Sequence, residues 1–196
     1  MAQWFNRDFF ANINLIFRRE LVLPRESLSA IWDIDLQHLN ECGIRGIAID
    51  VNQTLLPYDS NSFEPRILDT ITEMKQSFKL CALSNYVGHP IDDRGNIRSQ
   101  IISHQLGIPV LSTQYKKPSA KAFQAVIDYF RISPQQCAIV GDRIFTDIVG
   151  GNLSGFYTIL VKPLKPFSDP LLYVLIPRLI ENCALKLYSF FNKLTK

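Results

Sequence analysis

Residues 45–55 read Arg-Gly-Ile-Ala-Ile-Asp-Val-Asn-Gln-Thr-Leu, and the apolar run at 47–49 predicts a short buried strand. The apolar pattern stops at Asp50. In open parallel sheets, ligands bind beyond the carboxyl ends of the strands, so a carboxylate at this position is placed for chemistry. Because Asp, Asn and Thr are also ordinary turn residues, this stretch alone leaves a simple turn equally open.

Strand and helix patterns alternate through the rest of the chain. Further strands are predicted at 80–83, 109–112, 137–140 and 157–161, and helices at 27–40, 65–78, 96–106, 119–130 and from about Phe145. Strands separated by helices imply right-handed βαβ crossovers. The predicted fold class is therefore α/β, with a parallel sheet of about five strands and helices on both faces.

The composition fits one globular domain with some additional length, since the chain has 196 residues and is 47% hydrophobic. Its net charge of +3 is too small to indicate nucleic-acid binding, but it permits attraction to anionic ligands or to a membrane surface. The four cysteines form neither a CxxC metal pattern nor a dense disulfide framework, and the first residues lack an apolar stretch of signal-peptide length. We therefore expect reduced thiols and a cytoplasmic or equivalent reducing compartment.

Polar residues follow each of four predicted strands. They are Asp50 and Asn52, then Ser84 and Asn85, then Lys117, and finally Asp142 with Asp147 five residues later. Each of them singly also fits a turn, a helix cap or an exposed helix position. Because the carboxyl ends of parallel strands share one edge of the sheet, their coincidence favours a single site.

This set of side chains suits a phosphoryl group. Mg²⁺ prefers oxygen ligands and would be held by Asp50 and Asp142, with Asp147 close behind. Ser84 and Lys117 would bind the transferring oxygens and supply the electrostatic stabilisation that phosphoryl transfer requires.

The four motifs resemble those of the haloacid dehalogenase (HAD) superfamily. They are Asp-Val-Asn-Gln-Thr at 50–54, Ser-Asn at 84–85, Lys-Pro at 117–118 and Gly-Asp-Arg-Ile-Phe-Thr-Asp at 141–147. More narrowly, residues 140–161 resemble the YqeG family of small phosphatases, which is similar to the mitochondrial phosphatidylglycerophosphate phosphatases. The resemblance spans about residues 20–166. It implies a Rossmann-like sheet, Mg²⁺ as cofactor and a phosphomonoester substrate that forms an aspartyl-phosphate at Asp50.

With the resemblance included, the predicted catalytic residues are Asp50 and Asn52. The predicted phosphate-binding residues are Thr54, Ser84, Asn85 and Lys117, and the predicted metal-binding residues are Asp50, Asn52, Asp142 and Asp147. For Asn52, the resemblance implies metal binding through the backbone carbonyl.

Asn52 departs from the superfamily pattern, which has a second aspartate there as general acid and base. An amide cannot give or take that proton, and such assistance is worth about a hundred- to ten-thousand-fold in rate. Three alternatives stay open: a slow phosphatase, an enzyme that recruits another acid, or a catalytically silent pseudophosphatase that binds phosphate as a regulatory module. The candidate replacement acids are Asp59, His89, Asp92 and Asp93.

The spacing between motifs predicts an open site. About thirty residues separate Thr54 from Ser84, which leaves no room for a large cap domain. Superfamily members without a cap resemble enzymes whose large substrates cover the site themselves. We therefore expect a macromolecular or lipid-linked substrate.

Both ends of the chain are predicted to be helical extensions of the HAD-like domain at 27–166. Residues 1–26 form an N-terminal amphipathic extension, and residues 167–196 form a basic amphipathic tail that is too short and too charged to span a bilayer. The tail would place Leu179, Ile180 and Leu187 opposite Arg178 and Lys186. Two interpretations stay open: peripheral binding to an anionic membrane, or an apolar face packed on the domain or on the N-terminal helix.

Overall fold

A computed structural model of the chain describes Leu15, Thr113 and residues 18–85, 93–111, 115–166 and 176–194. These residues contain one sheet of six strands, all paired in parallel. The strands are β1 (Glu26–Leu28), β2 (Gly46–Ile49), β3 (Lys79–Leu83), β4 (Val110–Leu111), β5 (Cys137–Gly141) and β6 (Tyr157–Val161). Their order is β1-β6-β5-β2-β3-β4, which places β2 between β5 and β3. The predicted α/β class with a Rossmann-like parallel sheet is confirmed, and the sheet has six strands where about five were expected.

The described helices connect the strands and cover the sheet. They are α1 (Arg19–Val22), α2 (Leu36–Glu41), α3 (Pro65–Met74), α4 (Asp93–Gln105), α5 (Ala120–Phe130), α6 (Val149–Leu153) and α7 (Ile176–Leu194). A single turn of π-helix, Ile144–Ile148, leads directly into α6. The connection from β2 to β3 holds only a loop and α3, so it contains no cap domain.

The predicted helix at 27–40 is wrong over its first half. Residues 26–28 form the edge strand β1, in which Ser27 pairs with Leu160 of β6. A 3₁₀ turn at Ile31–Asp33 follows, and α2 begins only at Leu36. Asp35 caps this helix by accepting a 2.9 Å hydrogen bond from the backbone N–H of His38. A three-residue strand is too short to produce a two-residue hydrophobic period, so the apolar spacing resembled that of a helix.

Both faces of the sheet are covered, which explains why its central strands are continuous apolar runs. Ile47 and Ile49 of β2 belong to a buried cluster that includes Ile67 of α3. Ala48, which points to the other face, belongs to a second cluster that includes Phe123 of α5. The core therefore fixes β2 from both sides and holds the residue after it, at the carboxyl edge, in a defined place.

Helix α7 packs beside the π-helix through a face that was not expected. Arg178 and Glu181 are buried, whereas Leu179, Ile180 and Leu187 are exposed by 56%, 40% and 54%. These three apolar residues therefore do not form the face of α7 that packs on the described part of the protein. Leu185 and Tyr188 contact the apolar cluster of α1 and the π-helix instead. Among the described residues, no helix has the length and hydrophobicity needed to cross a membrane.

Much of the two predicted extensions lies outside the described residues. This applies to residues 1–14, 16–17, 167–175 and 195–196. The proposed boundaries of the three segments stay predictions.

Candidate active site

Three buried carboxylates meet at the carboxyl edge of the sheet. Asp50 directly follows β2 and is fixed by a 2.8 Å backbone hydrogen bond to the Val140 carbonyl oxygen. Asp142 follows β5, and Asp147 lies in the π-helix. One carboxylate oxygen from each of these aspartates lies within 4.8 Å of the others. The structure thus brings together two predicted metal ligands and the predicted nucleophile.

Gly141 lets the carboxylate of Asp147 lie close to the end of β5. A Cβ atom on Gly141 would lie 2.3 Å from Asp147 Oδ2, so only glycine leaves room for this carboxylate against the strand end. Asp147 Oδ2 also accepts a 3.1 Å hydrogen bond from the backbone N–H of Arg143. Single turns of π-helix occur frequently at functional sites. Here the turn places Asp147 back against the end of β5.

Lys117 bridges two of the carboxylates. Its Nζ donates to Asp50 Oδ1 at 2.5 Å and to Asp147 Oδ1 at 2.7 Å. Burial alone would lower the pKa of Lys117, but the charges of Asp147 and Asp50 more than offset it and raise that pKa above its ordinary value. Lys117 is therefore a fixed cation at neutral pH.

Asn85 holds the backbone of Lys117 in place. Its side chain accepts a 2.7 Å hydrogen bond from the Lys117 N–H and donates a 3.2 Å bond to the Lys117 carbonyl oxygen. The oxygen and the nitrogen of the side-chain amide thus both bind the backbone of one residue, Lys117. In the structure Asn85 contacts the backbone of Lys117, and phosphate binding by Asn85 stays a prediction.

Ser84 and Thr54 lie at the ends of neighbouring strands. Ser84 follows β3 directly, and Thr54 lies four residues after Asp50 in the turn beyond β2. Both are buried, and Thr54 Oγ1 has no hydrogen-bond partner among the described residues. A buried hydroxyl without a partner is unusual and is consistent with a ligand-binding role. Phosphate binding by these two residues stays a prediction.

Asp142 is paired with a residue from the C-terminal helix. Arg178 Nη2 donates to Asp142 Oδ2 at 2.6 Å, and Arg178 Nη1 donates to the Asp142 carbonyl oxygen at 3.1 Å. Asp142 Oδ1 is buried and has no hydrogen-bond partner within the described part of the chain. Sequence reasoning missed this contact because it assigned Arg178 to the solvent-facing side of an amphipathic helix.

A second ion pair attaches the same helix to the next residue of the loop. Arg143 Nη2 donates to Glu181 Oε1 at 2.6 Å, and Arg143 Nε donates to Glu181 Oε2 at 3.1 Å. The backbone N–H of Ile144 also donates to Glu181 Oε2, at 3.2 Å. The only sequence signal for these contacts was a pair of opposite charges three residues apart in an apolar segment.

Asn52 is held by an arginine that sequence reasoning also missed. Arg98 Nη1 donates to Asn52 Oδ1 at 2.7 Å. Its Nη2 donates to three carbonyl oxygens of the loop after β2, those of Pro57, Tyr58 and Ser60, at 2.5, 3.0 and 2.8 Å. One guanidinium group from α4 therefore fixes both the loop and the amide oxygen of Asn52.

Asp59 is a poor replacement acid. Lys165 Nζ donates a 2.5 Å hydrogen bond to Asp59 Oδ2. This bond is the main reason that the pKa of the exposed Asp59 carboxyl group is lowered from its ordinary value. His89 and Asp92 lie outside the described residues, and Asp93 begins α4. The structure therefore offers no support for proton donation by Asp59.

The remaining electrostatics favour an additional cation. Burial raises the pKa of Asp50 to about 6, although Lys117 acts in the opposite direction. Burial likewise raises the pKa of Asp142 to about 7, with Arg178 opposing it. Among the described residues, Lys117 and Arg178 are the cations paired with these three carboxylates, and they leave one negative charge unbalanced. This excess, the close approach of the oxygens and the unpaired Asp142 Oδ1 fit a divalent ion with oxygen ligands. A ligand role for the Asn52 carbonyl stays a prediction.

The chain is similar to proteins described as phosphatases. A family model described as mitochondrial PGP phosphatase matches residues 7–165. The probable phosphatase YqeG of Bacillus subtilis is 31% identical over 147 residues, which cover 74% of this chain and 80% of that protein. The phosphatidylglycerophosphate phosphatase 1 of Arabidopsis thaliana chloroplasts and mitochondria is 32% identical over 163 residues. That match covers 82% of this chain but 47% of the plant protein, so the chain spans about half the length of this relative.

A solved structure of the putative HAD-hydrolase YfnB from Bacillus subtilis, bound to magnesium, is also similar. It is 22% identical, and the match covers 57% of this chain and 48% of that one with a TM-score of 0.44. A similarity this distant supports no conclusion about the site. The family match and the four motifs are sufficient: the chain belongs to the mitochondrial PGP phosphatase family, a family of phosphatases of the haloacid dehalogenase type.

Proposed function

We propose that this chain is a Mg²⁺-dependent phosphatase that hydrolyses a phosphomonoester through an aspartyl-phosphate at Asp50. The observation that carries the proposal is the buried cluster in which Lys117 joins Asp50 to Asp147, with an oxygen of Asp142 within 4.8 Å. Such a cluster combines a carboxylate nucleophile with the fixed positive charge that phosphoryl transfer needs.

In this proposal, the protein groups act in two successive displacements. Lys117 and Ser84 donate hydrogen bonds to the phosphoryl oxygens and hold them next to Asp50. A carboxylate oxygen of Asp50 attacks phosphorus, and the bond from phosphorus to the alcohol oxygen breaks. Water then attacks the phosphorus of the aspartyl-phosphate, which releases inorganic phosphate and regenerates the Asp50 carboxylate. Mg²⁺, held by Asp50, Asp142 and Asp147, would supply the positive charge that lets two anionic groups approach each other.

Asn52 makes the first displacement sensitive to the leaving group. Arg98 fixes the amide oxygen of Asn52, and the N–H group of an amide is too weak an acid to protonate a departing alkoxide. We therefore propose slow hydrolysis of alkyl phosphates and faster hydrolysis of aryl phosphates, whose leaving groups need no proton. A second candidate function, favoured by the same residue, is a pseudophosphatase that binds phosphate without turnover.

For the substrate, we propose a lipid-linked phosphomonoester such as phosphatidylglycerophosphate at an anionic membrane surface. The connection between β2 and β3 contains no cap, which suits a substrate embedded in a surface. The proposed docking surface is the outer face of α7, formed by Leu179, Ile180 and Leu187 with Lys186 exposed beside them. An apolar face flanked by a cation matches the interface of an anionic bilayer.

Release of inorganic phosphate from vesicles that contain phosphatidylglycerophosphate tests this function. We expect turnover in Mg²⁺ and none after addition of EDTA, with slower turnover of soluble alkyl phosphates. Tight phosphate binding without release from any phosphomonoester would favour the pseudophosphatase.

The docking surface is tested by co-sedimentation with anionic vesicles. We expect the double variant Leu179→Asp/Leu187→Asp to lose most of its vesicle binding, because it places charge on the face that would enter the bilayer interface. Leu153→Asp is the matched control, since Leu153 is similarly exposed, by 41%, on another helix. Equal sedimentation of all three proteins would contradict membrane docking through α7.

A further inference from the structure

A residue outside the family match reaches into the site. The matched region ends at residue 165, and α7 begins eleven residues later, at Ile176. The first turn of this helix carries Arg178, which is only 6% exposed and contacts Asp142. A charged side chain is buried in this way only when it is paired, so the contact is a built feature of the fold.

The contact has the geometry of a clamp. Arg178 uses one terminal nitrogen for the carboxylate of Asp142, at 2.6 Å, and the other for the backbone carbonyl of the same residue, at 3.1 Å. Two nitrogens of one rigid guanidinium therefore tie the side chain of Asp142 to its own backbone. This restricts rotation about the side-chain bonds of Asp142 and leaves Oδ1 as its buried oxygen for which the described residues provide no hydrogen-bond partner.

We infer that Arg178 is a positioning residue for Asp142: it occupies Oδ2 and the backbone oxygen and keeps Oδ1 available for a divalent cation. The inference rests on the proposed function, because it presumes that a cation binds at the three carboxylates. Partners that orient a metal ligand in this way usually affect metal affinity about 10- to 100-fold when they are mutated.

The alternative role for Arg178 is a simple counterion, and it makes opposite predictions. A guanidinium beside Asp142 repels a divalent cation, so removal of the charge alone would tighten cation binding. Lysine would keep the charge but could not reproduce the two-nitrogen contact. Arg178→Lys and Arg178→Met therefore separate orientation from charge.

The neighbouring ion pair provides a matched control. Glu181 lies one turn further along α7, is equally buried, and binds Arg143 and the backbone N–H of Ile144. It attaches the same helix to the same loop without touching the carboxylate of Asp142. Glu181→Gln should weaken the attachment of the helix while it leaves the clamp on Asp142 in place.

The experiment measures divalent-ion affinity directly, without turnover. Mn²⁺ binding followed by electron paramagnetic resonance, and the rise in melting temperature with Mg²⁺, are recorded for the wild type, Arg178→Lys, Arg178→Met and Glu181→Gln. We expect both Arg178 variants to bind the ion about 10- to 100-fold more weakly. Glu181→Gln should melt at a lower temperature in the absence of ions and bind the ion as the wild type does.

Three results would overturn the inference, and each is distinct. Wild-type affinity in Arg178→Lys, or tighter binding in Arg178→Met, would reduce Arg178 to a counterion. An equal loss of affinity in Glu181→Gln would show that general attachment of the helix matters, and not the clamp. No ion binding by the wild type would instead remove the metal from the proposed function, and the inference with it. Because Arg178→Lys keeps the buried charge, it provides the comparison even if Arg178→Met does not fold.

Discussion

The two cations of the site differ in origin and in what they contact. Lys117 lies within the family-matched region, just before α5, and joins Asp50 to Asp147. Arg178 comes from α7, beyond that region, and contacts the carboxylate and the backbone carbonyl oxygen of Asp142. The comparison shows that carboxylates gathered by one sheet edge obtain their counterions from separate parts of the chain. On this account, Lys117 binds the phosphoryl group, whereas Arg178 orients Asp142 as a metal ligand.

The largest effect is expected from a substitution that supplies the general acid missing at position 52. Asn52→Asp should raise kcat for alkyl phosphates by about 10²- to 10⁴-fold, because a carboxyl group can protonate the departing alkoxide. The gain should be much smaller for aryl phosphates. Steady-state kinetics on the two substrate types measure the difference.

Asn52→Ala is the control for this substitution, since it removes the oxygen that accepts from Arg98 and adds no acid, whereas the aspartate keeps an acceptor oxygen there. A similar gain in both variants would mean that loss of the asparagine amide, and not the new acid, is the cause. No gain in Asn52→Asp would mean that another group already provides the proton.

Removal of the positive charge of Lys117 is expected to have the next largest effect. Lys117→Met should lower kcat about 10²- to 10³-fold, the usual cost of losing a group that stabilises transition-state charge. The loss should persist at saturating Mg²⁺, unlike the effect of changing Arg178. Kinetics over a Mg²⁺ titration distinguish the two.

The neighbouring exposed residue offers a matched control. Lys116→Met removes a lysine charge one residue away, at the surface, and should leave kcat unchanged. If Mg²⁺ fully restored the activity of Lys117→Met, Lys117 would act on metal binding, as Arg178 is proposed to do, and not on the phosphoryl group.

The smallest effect concerns the pH dependence of stability. Burial raises the pKa of Asp50 to about 6 and that of Asp142 to about 7, from an ordinary value of about 4. Between pH 4 and pH 7 the folded, metal-free protein therefore binds more protons than the unfolded chain, and these groups make it less stable as pH rises.

Mg²⁺ competes with those protons, so the rise in melting temperature on adding Mg²⁺ should be larger at pH 7.5 than at pH 5. Differential scanning calorimetry with and without Mg²⁺ measures the difference. A rise that is the same at both pH values would show that the cation does not bind at these carboxylates.

The predictable part of the molecule is the part in which local pattern and sheet geometry agree. Asp50, Ser84 and Asp142 could be placed at one edge because each follows an apolar strand run, and parallel strands share that edge. The three-residue strand β1 could not be predicted, because its extended conformation comes from pairing with β6, more than 130 residues away. Tertiary contacts decide such short segments.

The missed site residues are all charged side chains with distant partners. Arg98 lies 46 residues from Asn52, and Arg178 lies 36 residues from Asp142. In an amphipathic helix, charged residues are expected to face solvent, and only the fold reveals that a buried carboxylate lies opposite. The same assumption placed Arg178 on the solvent-facing side of α7, where the structure has it buried.

Phosphate release from an aryl phosphate in the presence of Mg²⁺, by the wild type and by Asp50→Asn, tests the central claim most directly. An aryl leaving group needs no proton, so the absence of an acid at position 52 does not obscure the result. We predict turnover by the wild type and none by Asp50→Asn, whose circular dichroism should match that of the wild type. Turnover that survives Asp50→Asn would contradict the assignment of the nucleophile and the mechanism built on it.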